Sequence, residues 1–325
     1  MKKIILINFF SVIAILLFLE IIVGVFKLSN LMGIDKHLIL YKSQSEYKFH
    51  PNSSGKVFNE MIFTDNFGFR VPRKNFKYLK KKSIIFFGDS VAFGNGVEEE
   101  NTFIGIIRRE LNNYNVYNLS LPGYQANHHK FNIKYLNKVK NIEKVFYVFT
   151  LNDIKELSNI KIMKSDDGSQ KKKIFKTLKK VKLFQHVNSY LRNKSYLYLF
   201  LKGIASDPSQ RWFKIDREFY QNNNLKSFEN ILSQFKNQTT KKNVDFKVII
   251  LPYEYQTRKG NCKTDILLPQ INIEKLLIKN DIAYIDLTKE FCNYNKPKKL
   301  FYKFDPMHLS EEGHKFLFNL LKNEI

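Results

Sequence analysis

The chain has 325 residues but only 2 cysteines, and neither their number nor their spacing suggests a metal site. Acidic side chains are scarce as well. Against 54 Lys and Arg stand 30 Asp and Glu, a formal charge of +24, yet helix-turn-helix, zinc-finger and RNP patterns are all absent, which argues against nucleic acid as a partner. The positive residues are mostly lysines scattered among Asn, Ile and Phe. They read as a solvated basic surface, or as one that meets anionic lipid head groups or an acidic glycan. Also missing is a convincing small-x-small cleavage site after the apolar N-terminal run.

That run extends from Ile4 to Phe26, broken by Asn8, Ser11 and Glu20. At about 20 residues it is long enough to cross a bilayer and exceeds the apolar region of a typical signal peptide. An uncleaved signal anchor over residues 1–30 is expected, with a cleaved signal peptide as the main alternative and a buried helix of a soluble protein as a third. Lys2 and Lys3 favour a cytoplasmic N-terminus and an extracytoplasmic remainder, periplasmic or at the cell surface, although Lys27 on the other flank weakens the bias. Glu20 is the exception in this run. An intramembrane carboxylate is often functional or paired, but its position near the outer end lets it reach the interface.

The chemistry-bearing residues lie at two places far apart in the chain. Gly88-Asp89-Ser90 directly follows the apolar run Ser83 to Phe87, and Asp305-Pro306-Met307-His308 precedes the last helical stretch. A serine is unreactive at its free pKa, so it needs a neutral imidazole to accept its proton. The imidazole in turn needs an acceptor on its far nitrogen. Ser90, His308 and Asp305 supply that set. The order Ser, Asp, His is shared with α/β-hydrolases, but their G-x-S-x-G elbow is absent around Ser90.

These blocks resemble those of the SGNH, or GDSL, hydrolases. The GDS block of that family matches Gly88, Asp89 and Ser90, with Val91 where a Leu is usual, and the resemblance implies that Ser90 is the nucleophile. Asn118-Leu119-Ser120-Leu121-Pro122-Gly123 is similar to the second block and makes Gly123 a donor to the oxyanion. Thr150-Leu151-Asn152-Asp153 is similar to the third, Gly-x-Asn-Asp, and makes Asn152 another donor, although Thr150 replaces the glycine. Asp305 and His308 match the final Asp-x-x-His. The expected oxyanion hole comprises the N–H of Ser90, the N–H of Gly123 and the Asn152 amide. Taken singly, each block is also an ordinary turn, cap or loop start. The segment Thr64 to Arg70, with Gly68-Phe69-Arg70, resembles a short stretch found upstream of the serine in membrane-anchored members.

Strand runs alternate with helical ones from Ser83 onward. Ser83 to Phe87, Val116 to Leu119, Val145 to Phe149, Phe246 to Leu251 and Ala283 to Leu287 read as strands, and Thr102 to Leu111, His128 to Lys140 and Pro269 to Asn280 as helices. An α/β fold is expected: a flavodoxin-like three-layer sandwich with a central parallel sheet of about five strands and a transmembrane helix ahead of it. The catalytic domain would span 83–325, after a connector and small hairpin over 31–82. A helical insertion at about 155–242 contains Lys171 to Lys173 and an amphipathic helix from Thr177 to Leu201. It would pack on the core, form a lid or glycan-binding wall, or face a membrane.

Cys262 and Cys292 could form a disulfide or be two unrelated thiols. His128 and His129 read as surface or core residues, and His314 has no evident partner. No cofactor or metal is expected. The function expected is a membrane-anchored esterase acting on O-acyl, chiefly O-acetyl, groups of envelope carbohydrate. Alternatives are an O-acetyltransferase, which would require a membrane partner carrying the acyl donor, a glycan-binding or scaffold subunit without catalysis, and a lipase or thioesterase.

Overall fold

The computed structural model describes residues 2–41, 47–79, 82–157, 182–221 and 225–325. The chain divides into two compact units. One comprises residues 1–33 with 163–207, and the other comprises 34–162 with 208–325.

The larger unit is built on an eight-stranded sheet. Its parallel strands are β6 (Lys82–Phe87), β7 (Tyr114–Asn118), β8 (Ile142–Phe149), β9 (Asp245–Ile250) and β10 (Ala283–Asp286). They lie in the order β10-β9-β8-β6-β7, which in chain order is 2-1-3-4-5, the flavodoxin-like arrangement. The five expected parallel strands are therefore present, but the sheet is longer than expected. The hairpin β3 (Ser54–Val57) and β4 (Glu60–Thr64) joins it through β5 (Arg70–Val71), which pairs antiparallel with β7. This extension occupies the edge of β7, which would otherwise present unpaired backbone groups. Ahead of it, β1 (Ile39–Tyr41) and β2 (Tyr47–Phe49) form a separate antiparallel pair.

The central strands are apolar on both faces because both faces are covered. Successive side chains on β6 point to opposite sides, so its two phenylalanines report on both layers. Phe86 meets Phe103 on the helix Phe103–Glu110, while Phe87 meets Phe235 on the helix Lys226–Thr240. Thr102 caps the first of these helices, its Oγ1 accepting from Gly105 N at 3.0 Å. The expected helix from His128 to Lys140 is broken. Only His129–Asn132 is α-helical, with 3-10 turns at Ala126–His128 and Ile133–Asn137. Asn132 is drawn away to donate to Leu119 O. His128 and His129 are core residues, both buried. His314 does have partners: buried in the helix Glu311–Leu321, it accepts from Phe103 N and stacks on the Phe103 ring. Cys262 and Cys292 are joined in a disulfide.

The smaller unit contains the N-terminal helix Lys2–Val25 and the helices Lys182–Lys194 and Tyr196–Ala205. The expected single helix from Thr177 to Leu201 is interrupted. Ser195 leaves helical geometry at φ −124° and ψ 114°, and its side chain caps the second helix by accepting from Tyr198 N. Residues 177–181 of that expectation, and Lys171 to Lys173, lie outside the described residues. Glu20 does not simply point towards an interface; its carboxylate accepts from Ser195 and from the backbone after it.

Candidate active site

Open parallel sheets place their sites beyond the carboxyl ends of the strands, where the strand order reverses. Here that point lies between β6 and β8. Gly88-Asp89-Ser90 leaves the end of β6, and Thr150-Leu151-Asn152-Asp153 leaves the end of β8. The short helix Ser90–Phe93 begins at the serine, and Asp89 caps it by accepting from Val91 N at 2.8 Å. Gly88 is needed for this close turn, since a Cβ there would lie 2.6 Å from the Ala92 Cβ.

His308 arrives from the other end of the chain, 218 positions away. Its Nε2 lies 2.8 Å from Ser90 Oγ, and its Nδ1 lies 2.8 Å from Asp305 Oδ2. Asp305 also accepts from the backbone N–H groups of Met307 and His308, at 3.0 and 2.8 Å, so its carboxylate holds the loop that carries the histidine. All three side chains are buried. Burial alone would lower the His308 pKa, but the adjacent Asp305 carboxylate and the charge of Asp89 raise it above its ordinary 6.5. For Asp305, burial works upward and is outweighed by His308 and the two N–H groups, leaving it below 3.8.

Asn152 is brought to the same place through Asp89. Its Nδ2 donates to Asp89 Oδ2 at 3.2 Å, and the Thr150 hydroxyl lies 2.9 Å from that oxygen and 2.6 Å from Asn152 Oδ1. Thr150, which departs from the expected glycine, thus anchors the oxygen end of the asparagine and leaves its NH₂ end towards the serine turn. Tyr253 adds a longer contact to Asn152 Oδ1. Asp89 is fully buried, and that burial raises its pKa. Gly123 lies in the loop beyond β7 with φ +74°, a left-handed conformation that suits glycine. A Cβ there would meet only the Tyr47 hydroxyl, 3.9 Å away.

Two contributors to the site were not identified from the sequence. Phe58 sits at the tip of the β3–β4 hairpin, and its ring lies edge-on to His308, 5.3 Å between centroids. Both Phe58 and Asn59 have positive φ, 52° and 67°. Such a backbone is costly for a bulky residue and is found where the surroundings enforce it. The second is Arg70, noted only as part of the Gly68-Phe69-Arg70 stretch. Its buried guanidinium donates to the carbonyls of Phe93 and Gly94 at 2.9 and 2.8 Å, and to Val97 O at 2.6 Å. It therefore closes the carbonyl end of the very helix that Ser90 begins. Burial drives its pKa down to about 9.

No family model and no curated protein matches the chain. Among solved structures, it is similar to a member of the lipolytic G-D-S-L family from Veillonella parvula at 14% identity, over 74% of this chain and 97% of that one, with a TM-score of 0.43. It is likewise similar to a lipase/acylhydrolase from Enterococcus faecalis at 15% identity, 75% and 95% coverage and a TM-score of 0.43. A third is an acetyl xylan esterase, AlAXEase, at 17% identity, 75% and 99% coverage and a TM-score of 0.44. The strand order is flavodoxin-like whatever the likeness. These likenesses are low, and it is the site's own geometry that carries the chemistry. Ser90 lies in the turn after β6, Gly123 in the loop after β7, Asn152 in the loop after β8, and Asp305 and His308 in the loop before the last helix.

Proposed function

We propose that the protein is a membrane-anchored serine esterase that removes O-acyl groups, chiefly O-acetyl, from cell-envelope carbohydrate. The observation that carries the reading is the continuous relay from Ser90 Oγ to His308 Nε2 and from His308 Nδ1 to Asp305, each link 2.8 Å. Neutral His308 takes the Ser90 proton as Oγ attacks the ester carbonyl, and Asp305 stabilises the imidazolium that forms. The N–H groups of Ser90 and Gly123 and the Asn152 amide are the donors for the resulting oxyanion. His308 then protonates the departing sugar oxygen. Water, deprotonated by the same histidine, attacks the acyl-serine and regenerates the enzyme.

Several features support the finer parts of the reading. Phe58 beside His308 offers an apolar ring face and the Tyr47 hydroxyl beside Gly123 a polar group, a combination that suits a sugar ring. The Cys262–Cys292 disulfide fits an oxidising compartment, hence an exported catalytic domain. The helix Lys3–Val25 has the length and hydropathy of a single span.

The test is product analysis of the full chain in detergent with an O-acetylated oligosaccharide, alongside Ser90→Ala. Acetate release lost in the variant, with an acetyl group trapped on Ser90 at early times, is the expected result. Acetylation of an added acceptor sugar without acetate release would replace hydrolysis by transfer, and turnover unaffected by Ser90→Ala would refute the reading.

A further inference from the structure

The N-terminal helix does not stand alone within its unit. Glu20, on its last turns, reaches the start of the helix Tyr196–Ala205. There Oε1 accepts from Tyr196 N at 2.6 Å, and Oε2 accepts from Leu197 N at 3.0 Å and from the Ser195 hydroxyl at 2.7 Å. Ser195 Oγ in turn accepts from Tyr198 N at 3.0 Å, and Ser195 N donates to Leu191 O at 2.9 Å. The first four N–H groups of a helix have no partner inside it. Here all four are bonded within the protein, two of them by a carboxylate from another helix. Further contacts continue along the same side. Ser29 Oγ donates to Tyr196 O, Met32 N donates to Arg192 O, and Gly24 faces the Tyr196 ring at a distance that leaves little room for a Cβ.

We infer that the N-terminal helix is retained in the mature protein, and that the helix Tyr196–Ala205 is embedded beside it in the outer boundary of a phospholipid bilayer. The inference is independent of the catalytic reading.

The occupant is argued from three observations. First, full internal bonding of a helix start is what hydrocarbon demands, whereas a start in water can leave its N–H groups to solvent. Glu20 lies five residues before Val25, about 8 Å along the axis at 1.5 Å per residue, which places the tether near the junction of hydrocarbon and head groups. Second, the apolar surface is continuous with that of the span. The N-terminal helix exposes its apolar side chains almost throughout, and Leu201 and Ile204 are 54% and 61% exposed. Ten residues, Tyr196 to Ala205, cover about 15 Å, too short to cross a bilayer but long enough to lie in its boundary. The one charged side chain in that helix, Lys202, donates to Asn188 Oδ1, as does Tyr198 OH. Third, the polar flanks carry the charge that anionic head groups attract: Arg192 and Lys194 in the last turn before Ser195, and Lys27 just beyond the span.

The experiment uses the full chain in vesicles of phosphatidylcholine and phosphatidylglycerol. Single nitroxide labels at Leu201→Cys and Ile204→Cys are compared with one at the exposed Lys263→Cys, and intact mass is measured on chain purified from membranes. Expected are a mass that includes residues 1–33 and collision with oxygen favoured over a water-soluble nickel chelate at 201 and 204, with the order inverted at 263. In Glu20→Leu, which keeps the span apolar, the oxygen preference at 201 and 204 should fall, and in Glu20→Gln, which keeps one acceptor, it should fall less. A mature chain lacking Glu20, nickel access at 201 and 204 equal to that at 263, or depths unchanged in Glu20→Leu would each overturn the inference.

Discussion

Replacing Arg70 by Met tests whether the serine turn is held from behind. Met keeps much of the buried volume and an apolar contact with Phe93, but it removes every donor and the cation 5.0 Å from that ring's centroid. Three carbonyls, those of Phe93, Gly94 and Val97, lose a charged partner at 2.9, 2.8 and 2.6 Å. Hydrogen bonds to charged groups contribute about 1.5–3 kcal/mol each, a gross loss of about 5–9 kcal/mol. Against this stands the cost of burying the guanidinium, evident in a pKa driven down to about 9, which the variant no longer carries. A net destabilisation of about 1–3 kcal/mol follows, the cost of leaving buried acceptors without a donor. Turnover should fall further than stability alone explains, because Gly94 and Asn95 both donate to Ser90 O in the same turn. Denaturant unfolding of the full chain in detergent gives the first quantity, and ester turnover well below the unfolding transition gives the second. A loss under about 1 kcal/mol with unchanged turnover would refute the role assigned to Arg70.

Because neutral His308 is the base and its pKa lies above 6.5, kcat/KM should decline on the acid side through a value above 6.5. Asp305→Asn should move that limb to lower pH and cut turnover about 10⁴-fold, as expected when a buried carboxylate no longer fixes the imidazole tautomer. The stabilising charge on His308 is complete below its unfolded pKa and is lost as pH rises through the folded one. For Asp305, held below 3.8, the contribution is present above its unfolded pKa and lost as pH falls through the folded one. Asn152→Ala should lower kcat about 100- to 1000-fold while the circular dichroism spectrum stays native, and substantial retained turnover in folded protein would remove Asn152 from the oxyanion hole. Phe58→Gly and Phe58→Ala both delete the ring that abuts His308, but only glycine suits φ +52°. Glycine should therefore be the more stable of the two by about 1 kcal/mol, with kcat/KM lowered alike in both; equal stability would argue against strain at the hairpin tip.

Local pattern sufficed for much of this. Short β-branched or aromatic runs between helical stretches read as parallel strands, so β6 to β10 were legible one by one, and their alternation with helices implied the flavodoxin-like sheet. Residue types with obligatory chemistry, a serine after a strand and Asp-x-x-His before a final helix, marked Ser90, Asp305 and His308 for the same reason. What depends on distance along the chain was not legible. Nothing local announces that the 54–64 hairpin extends the sheet past β7, that Phe58 abuts His308, or that Arg70 closes the helix after Ser90. The break at Ser195 and the bond from Glu20 to the helix it begins are likewise tertiary, since 175 positions separate the two side chains. Composition and periodicity thus determined the layers and named the reactive groups. Only packing, which brings remote backbone donors and acceptors within 3 Å of one another, decided what holds those groups in place.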